Sequence, residues 1–216
     1  MGGFNSKNNK NNPSIYKNSD EFRLCSLFVK EFKIGLHPLL RHVNDGTLHQ
    51  RLMSLFMSIK NLDRTSAKGA LNVAEGLQTL KGKALLQHFV FTPKVGIRQR
   101  FGNPEISEND FTVSWTDFEI SPTRFPRGAT HFELQYLLLV YDPEQEIFTT
   151  YSATPVRRSK KDAAGHLELR IERTNFKKTN RRFILALGLR YLEILGDEEY
   201  PLLGKNAVGV EIIGVF

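Results

Sequence analysis

The hydrophobic rhythm of the chain changes once, near residue 108. Before that point apolar residues recur at helical spacing. After it they alternate with polar ones, run after run, to Phe216. A period of 3.6 that gives way to a period of 2 leaves few architectures open. It predicts an α+β chain, mainly β: an N-terminal helical hairpin followed by an antiparallel β-sandwich, immunoglobulin-like or fibronectin-like.

Four segments follow from the pattern. Residues 1–18 are rich in Asn and carry Lys7, Lys10 and Lys17, which predicts a disordered basic arm. Residues 19–63 predict the hairpin. Its first helix starts at Ser19 or Asp20 and carries Leu24, Cys25, Phe28, Val29, Phe32 and Leu36 on one face. Pro38 ends or kinks it. After Asn44-Asp45-Gly46, a second helix places Leu48, Leu52, Leu55, Phe56 and Ile59 on one side, with Gln50, Arg51, Ser54, Ser58 and Lys60 opposite. Residues 64–108, punctuated by five glycines, read as an irregular connector in which Phe89–Phe91 forms a first strand. Residues 109–216 hold six further strands separated by turn signals such as Asp142-Pro143-Glu144.

These strands differ in polarity. The run at 166–172 is apolar on one face only. Those at 132–141, 183–194 and 208–216 are apolar on both. A sheet face carrying Leu137, Leu139, Tyr141, Ile184, Leu192, Ile213, Val215 and Phe216 has to be covered, by the hairpin, by another subunit, or by both. Burying about six such side chains contributes on the order of 10 kcal/mol before entropy is subtracted. These eight residues are therefore the expected assembly surface of a homo-oligomer.

The chain carries 30 Lys and Arg against 23 Asp and Glu, a net charge of +7. This permits nucleic acid or an acidic partner. The candidate phosphate contacts are Lys7, Lys10 and Lys17 of the arm, Arg157, Arg158, Lys160 and Lys161, and Lys177, Lys178, Arg181 and Arg182. Arg98, Arg100, Arg124 and Arg127 add to them. The two clusters flank the strand at 166–173, so they are expected at opposite ends of the domain, roughly 25 Å apart. Basic loops of one copy can then meet acidic loops of another, such as Asp197-Glu198-Glu199.

Catalytic signatures are missing. The six histidines form no His-x-x-x-His pair, and no Gly-x-Ser-x-Gly, Walker or dinucleotide glycine motif occurs. No cofactor is expected, and an enzyme or a carbohydrate binder working through Trp115, Tyr136 or Tyr151 ranks below a structural role. Cys25 is the only cysteine, which excludes a disulfide scaffold and points to a reducing, cytoplasmic setting. No apolar stretch has the length of a signal peptide's core near the start, or of a membrane span anywhere. Met1-Gly2-Gly3-Phe4-Asn5-Ser6 fits the N-myristoylation pattern, a pattern short enough to arise by chance.

Arg51-Leu52, Gly69, Val73, Gly76, Leu80 and Gly82, with Leu187-Gly188-Leu189, Tyr200-Pro201-Leu202 and Asn206-Ala207, resemble a group of uncharacterised Bacteroidota proteins of about 200 residues. The likeness covers about two thirds of the chain, and its motifs are structural. It implies a bacterial cytosolic origin and carries no site residues.

Overall fold

A computed structural model describes residues 13–119, 125–172 and 180–216, with side chains from residue 18 onward. The chain is α+β, mainly β, with helices leading and antiparallel strands following.

The first helix, α1 (Pro13–Gly35), begins six residues before Ser19. Proline is tolerated in a first helical turn because the N–H it lacks would have had no partner there. Residues 13–18 are therefore helical rather than part of a disordered arm; residues 1–12 lie outside the described residues. Helix α2 (His37–Leu40) is a single turn with Pro38 near its start. Helix α3 (Leu48–Lys60) buries Leu48, Leu52, Phe56 and Ile59 as its spacing predicts. It also buries Lys60, which the sequence places on the polar side. The Lys60 ammonium lies 2.5 Å from Glu21 Oε2, and Glu21 Oε1 accepts the Gly69 N–H. Neither charge is left alone in the interior.

The connector holds three short helices, α4 (Val73–Gly76), α5 (Leu80–Gln87) and α6 (Ile97–Phe101). Side chains cap two of them: Asn72 accepts the Glu75 N–H, and Thr79 accepts the Gly82 N–H. Phe89–Phe91 is not a strand. The Val90 and Phe91 carbonyls, which a ladder would use, accept the Arg51 guanidinium instead.

Two sheets follow. The smaller has the order β1 (Glu105–Ile106), β2 (Val113–Phe118), β6 (Gly165–Leu169). The larger is built on two long central strands, β3 (His131–Asp142) and β7 (Arg182–Leu195). Each carries two short strands end to end on its outer edge. On β3 these are β4 (Ile147–Ser152) and β5 (Val156–Ser159), separated by Ala153-Thr154-Pro155. On β7 they are β8 (Glu198–Pro201) and β9 (Val208–Val215). The sequence also predicts a strand from Ile147 to Thr154 and a loop at 196–201; the first ends at Ser152, and the second holds β8.

Alternation along β3 and β7 sorts side chains into two cores. Even-numbered β3 residues and odd-numbered β7 residues pack with Val113, Trp115, Phe118, Leu167 and Leu169 of the small sheet. Leu137, Leu139, Tyr141, Ile184 and Ala186 face the other way, onto Phe28, Phe32, Leu36 and Phe56 of the helices. Approach is close. A Cβ on Gly188 would fall 2.4 Å from Leu39 Cδ2, so α2 lies directly on β7. The Gly35 carbonyl accepts the Thr150 hydroxyl, fixing the end of α1 to β4.

Candidate interaction surface

The helices of the same chain cover the sheet face that the sequence marks for assembly. Leu137, Leu139, Ile184 and Tyr141 are buried in the helix-side core, as is Val215. Leu192 is buried, Ile213 packs toward the small sheet, and Phe216 is half-buried against the same core. Seven of the eight are buried and Phe216 is half-buried. For Leu137, Leu139, Tyr141, Ile184 and Val215 the cover is the helical layer of the same chain.

The helix-side face turns polar beyond α2. Along β3, Leu137 gives way to Gln135, Glu133 and His131. Glu133 pairs in register with Arg157 on one side and Arg190 on the other. It accepts Arg157 Nε at 2.8 Å and Arg190 Nε at 2.7 Å. Burial would raise the Glu133 carboxyl, but the two guanidinium bonds outweigh it and hold the group below its ordinary range. His42, beside this row, is lowered by burial and by the charges of Arg41 and Arg190. The crevice among His42, Glu133, Gln135 and Arg190 has a volume of about 20 Å³, which is room for one water and no ligand. The row is structural.

The basic candidates separate as expected. Arg182 pairs with Tyr141 and Arg157 with Glu133, eight residues away along β3, a span of roughly 26 Å. Four of the nine described candidates, Arg98, Arg157, Arg181 and Arg182, are paired with carboxylates of the chain. Arg182 is buried, donating to the Ala74 carbonyl and to Glu75. Arg181 meets Asp142 at 3.2 Å. Arg157 is shared between Glu133 and Glu199. Arg98 is held by Glu211, and Arg100 donates to the Tyr191 hydroxyl. Arg158 is half-buried, while Lys160 and Lys161 are exposed on the β5–β6 turn. Lys7, Lys10, Lys177, Lys178 and Arg124 lie outside the described residues, as does the side chain of Lys17.

The aromatic candidates do not line an open cleft. Trp115 is buried with its indole N–H on the Gly102 carbonyl, and the Tyr136 hydroxyl donates to the Phe111 carbonyl in the core. Among the described residues no three His, Cys, Asp or Glu side chains come together as metal ligands, and no helix is long and apolar enough to cross a membrane.

Among the described residues β8 has no strand on its outer side. The outer edge of β9 is occupied: the Val210 N–H donates to Thr92, and Glu211 accepts the first N–H groups of α6. All four residues of β8 are exposed. The tight turn before it has Gly196 in the left-handed region, at φ +62°. Leu195 is 58% exposed, Tyr200 48% and Leu203 93%, three large apolar residues within nine positions. Beside them stand the acidic tip Asp197-Glu198-Glu199 and the basic turn Lys160-Lys161. Strand pairing puts both at the end of the large sheet where β3 begins. The sequence marks the acidic tip and the basic turn but not Leu195, Tyr200 and Leu203 beside them. The available signal was Leu195-Gly196-Asp197-Glu198, a two-residue hairpin turn flanked by strand residues.

No protein-family model, curated protein or solved structure matches the chain.

Proposed function

We propose that this chain is a structural or interaction protein that associates with copies of itself through the β7–β8 hairpin and the loop that follows it. The observation that carries this reading is the exposure of Leu195 at the end of β7, Tyr200 on β8 and Leu203 in the loop after it, with no strand on the outer side of β8 among the described residues. Adjacent acidic and basic loops support a second copy as the partner. A patch holding both signs is complementary to itself across a two-fold axis. Glu198, Glu199 and Pro201 on β8 oppose strand addition, so the contact is made by side chains. A nucleic-acid role has less support, because Arg157, Arg181 and Arg182 already have carboxylate partners.

The strand order, β1-β2-β6 against a sheet four strands wide with β3 and β7 at its centre, supports reading the β region as a fibronectin-like sandwich. The buried thiol of Cys25 supports a reducing, cytoplasmic setting, and the Bacteroidota likeness supports a bacterial one.

Sedimentation velocity over a concentration series tests the assembly. The wild type self-associates at concentrations on the order of 10–100 μM, as a modest interface does. The double variant Leu195→Glu, Leu203→Glu stays monomeric with its melting temperature unchanged. A wild type that remains monomeric through this range refutes the reading.

A further inference from the structure

A second feature lies at the opposite end of the large sheet. Between α1, the segment 70–75 and the β3–β4 turn is a half-enclosed cavity of about 280 Å³. Its lining is mixed: Leu24, Leu27 and Phe28 from α1, Val73 and Ala74 from α4 and Pro143 from the turn are apolar, and Asn72, Glu75 and Glu146 are polar. This is close to the lower limit of small-molecule pockets, and more than ten times the volume of the crevice beside Glu133.

Tyr141 forms part of the wall. Its residue is 6% exposed, and its hydroxyl makes no hydrogen bond to a described residue. Yet that oxygen is not sealed off: the one fully enclosed, unpartnered side-chain atom among the described residues is Thr112 Oγ1. Tyr141 is one of the residues that line the cavity, and the charge of Glu146, also in the lining, acts on its hydroxyl. The other buried core tyrosine of β3, Tyr136, has its hydroxyl satisfied by the Phe111 carbonyl. A reachable hydroxyl without a protein partner can bond a polar ligand group.

The charge around the cavity selects the ligand. Among the described residues the lining holds the carboxylates of Glu75 and Glu146 and no Lys or Arg; Arg182 and Arg181 are taken by Glu75 and Asp142. Glu146 stands exposed at the rim with no ion-pair partner among the described residues. Burial, followed by the charge of Glu146, pushes the Tyr141 hydroxyl up to about 12, so it stays a neutral hydrogen-bonding group. The faces of Phe28 and Tyr141, with centroids 4.8 Å apart, add an aromatic wall that attracts cations.

We propose that this cavity binds a small organic amine, its apolar body against Leu24, Leu27, Phe28 and Val73 and its ammonium group between the Tyr141 hydroxyl and the Glu146 carboxylate. An anionic ligand of the same shape meets Glu146 with no Lys or Arg among the described lining residues. The proposal stands apart from self-association, which concerns the other end of the sheet.

The test is a titration of the full chain with 2-phenylethylamine, followed by calorimetry and by amide chemical shifts. Saturable binding is expected with a Kd of about 1 mM or tighter, in line with a ligand of this size. 3-Phenylpropionate should bind at least about tenfold more weakly, and Glu146→Gln and Tyr141→Phe should each weaken the amine by roughly five- to tenfold. Tyr141→Phe removes only an unpartnered hydroxyl, so the variant is expected to fold, and circular dichroism checks this. The proposal is overturned by the absence of saturable binding at about ten times that concentration, by equal binding of the acid, or by variants that bind like the wild type.

Discussion

Asp63 shows how much of the helical layer rests on single polar atoms. It follows α3 and is 6% exposed. Its Oδ1 accepts the N–H groups of Thr65 and Ser66 and the Thr65 hydroxyl, and its Oδ2 accepts the Asn72 N–H. One carboxylate thereby folds residues 63–72 into the platform on which α4 begins. Burial alone would raise this carboxyl. The hydrogen bonds from Ser66, Thr65 and Asn72 outweigh burial and bring it to about 2. A depressed carboxyl contributes stability that is complete above the unfolded value near 4 and is lost as pH falls toward 2. Asp63→Ala leaves three partly buried N–H groups without their acceptor and should cost about 2 kcal/mol at pH 7. In urea titrations the gap between variant and wild type should narrow steadily between pH 4 and pH 2. A gap that does not change with pH would mean that the charge of Asp63 contributes nothing. From the sequence Asp63 is one acid among 23, because its partners are backbone groups that no side-chain pattern reveals.

At the scale of elements, legibility follows the length of the repeat. Helix α3 and strands β3, β7 and β9 run for 8 to 14 residues, long enough for a period to declare itself. The four or five residues of α4 and α6 do not complete two turns. Those helices are set by caps and by close backbone contact. Gly76 is the clearest case: a Cβ there would lie 2.1 Å from the Ile59 carbonyl oxygen of α3. Backbone on both sides leaves nothing flexible to yield. Gly76→Ala should therefore force α4 off α3 and cost about 3 kcal/mol, at the upper end of overpacking effects. In a chain of this size that lowers the melting temperature by roughly 6–12 °C. Gly46, where a Cβ would meet nothing within 4 Å, is the control: Gly46→Ala should melt within about 1 °C of wild type. The glycines of residues 64–108 read as loop punctuation in the sequence, and at Gly76 the same residue type marks a packing contact.

At the scale of the molecule, β3 and β7 belong to both cores at once. Leu137 and Leu139 pack under the helices, while Leu138 and Val140, their neighbours in sequence, pack toward the small sheet. Melting either layer exposes one face of the same two strands. The helices and the sheets are therefore expected to unfold as one cooperative unit, although the change of rhythm near residue 108 reads like a domain boundary. Two probes report on opposite layers. Helical circular dichroism follows α1 and α3, on one side of the large sheet. Trp115, the only tryptophan, is buried on the other side and reports the small-sheet core through its fluorescence. Thermal or urea curves from the two signals should superimpose. If the helical signal were lost first while Trp115 stayed in its native environment, the helix-side core would be a separate unit. The sheet face carrying Leu137, Leu139 and Ile184 would then be open before global unfolding, and association through that face would return as a property of the partly unfolded chain.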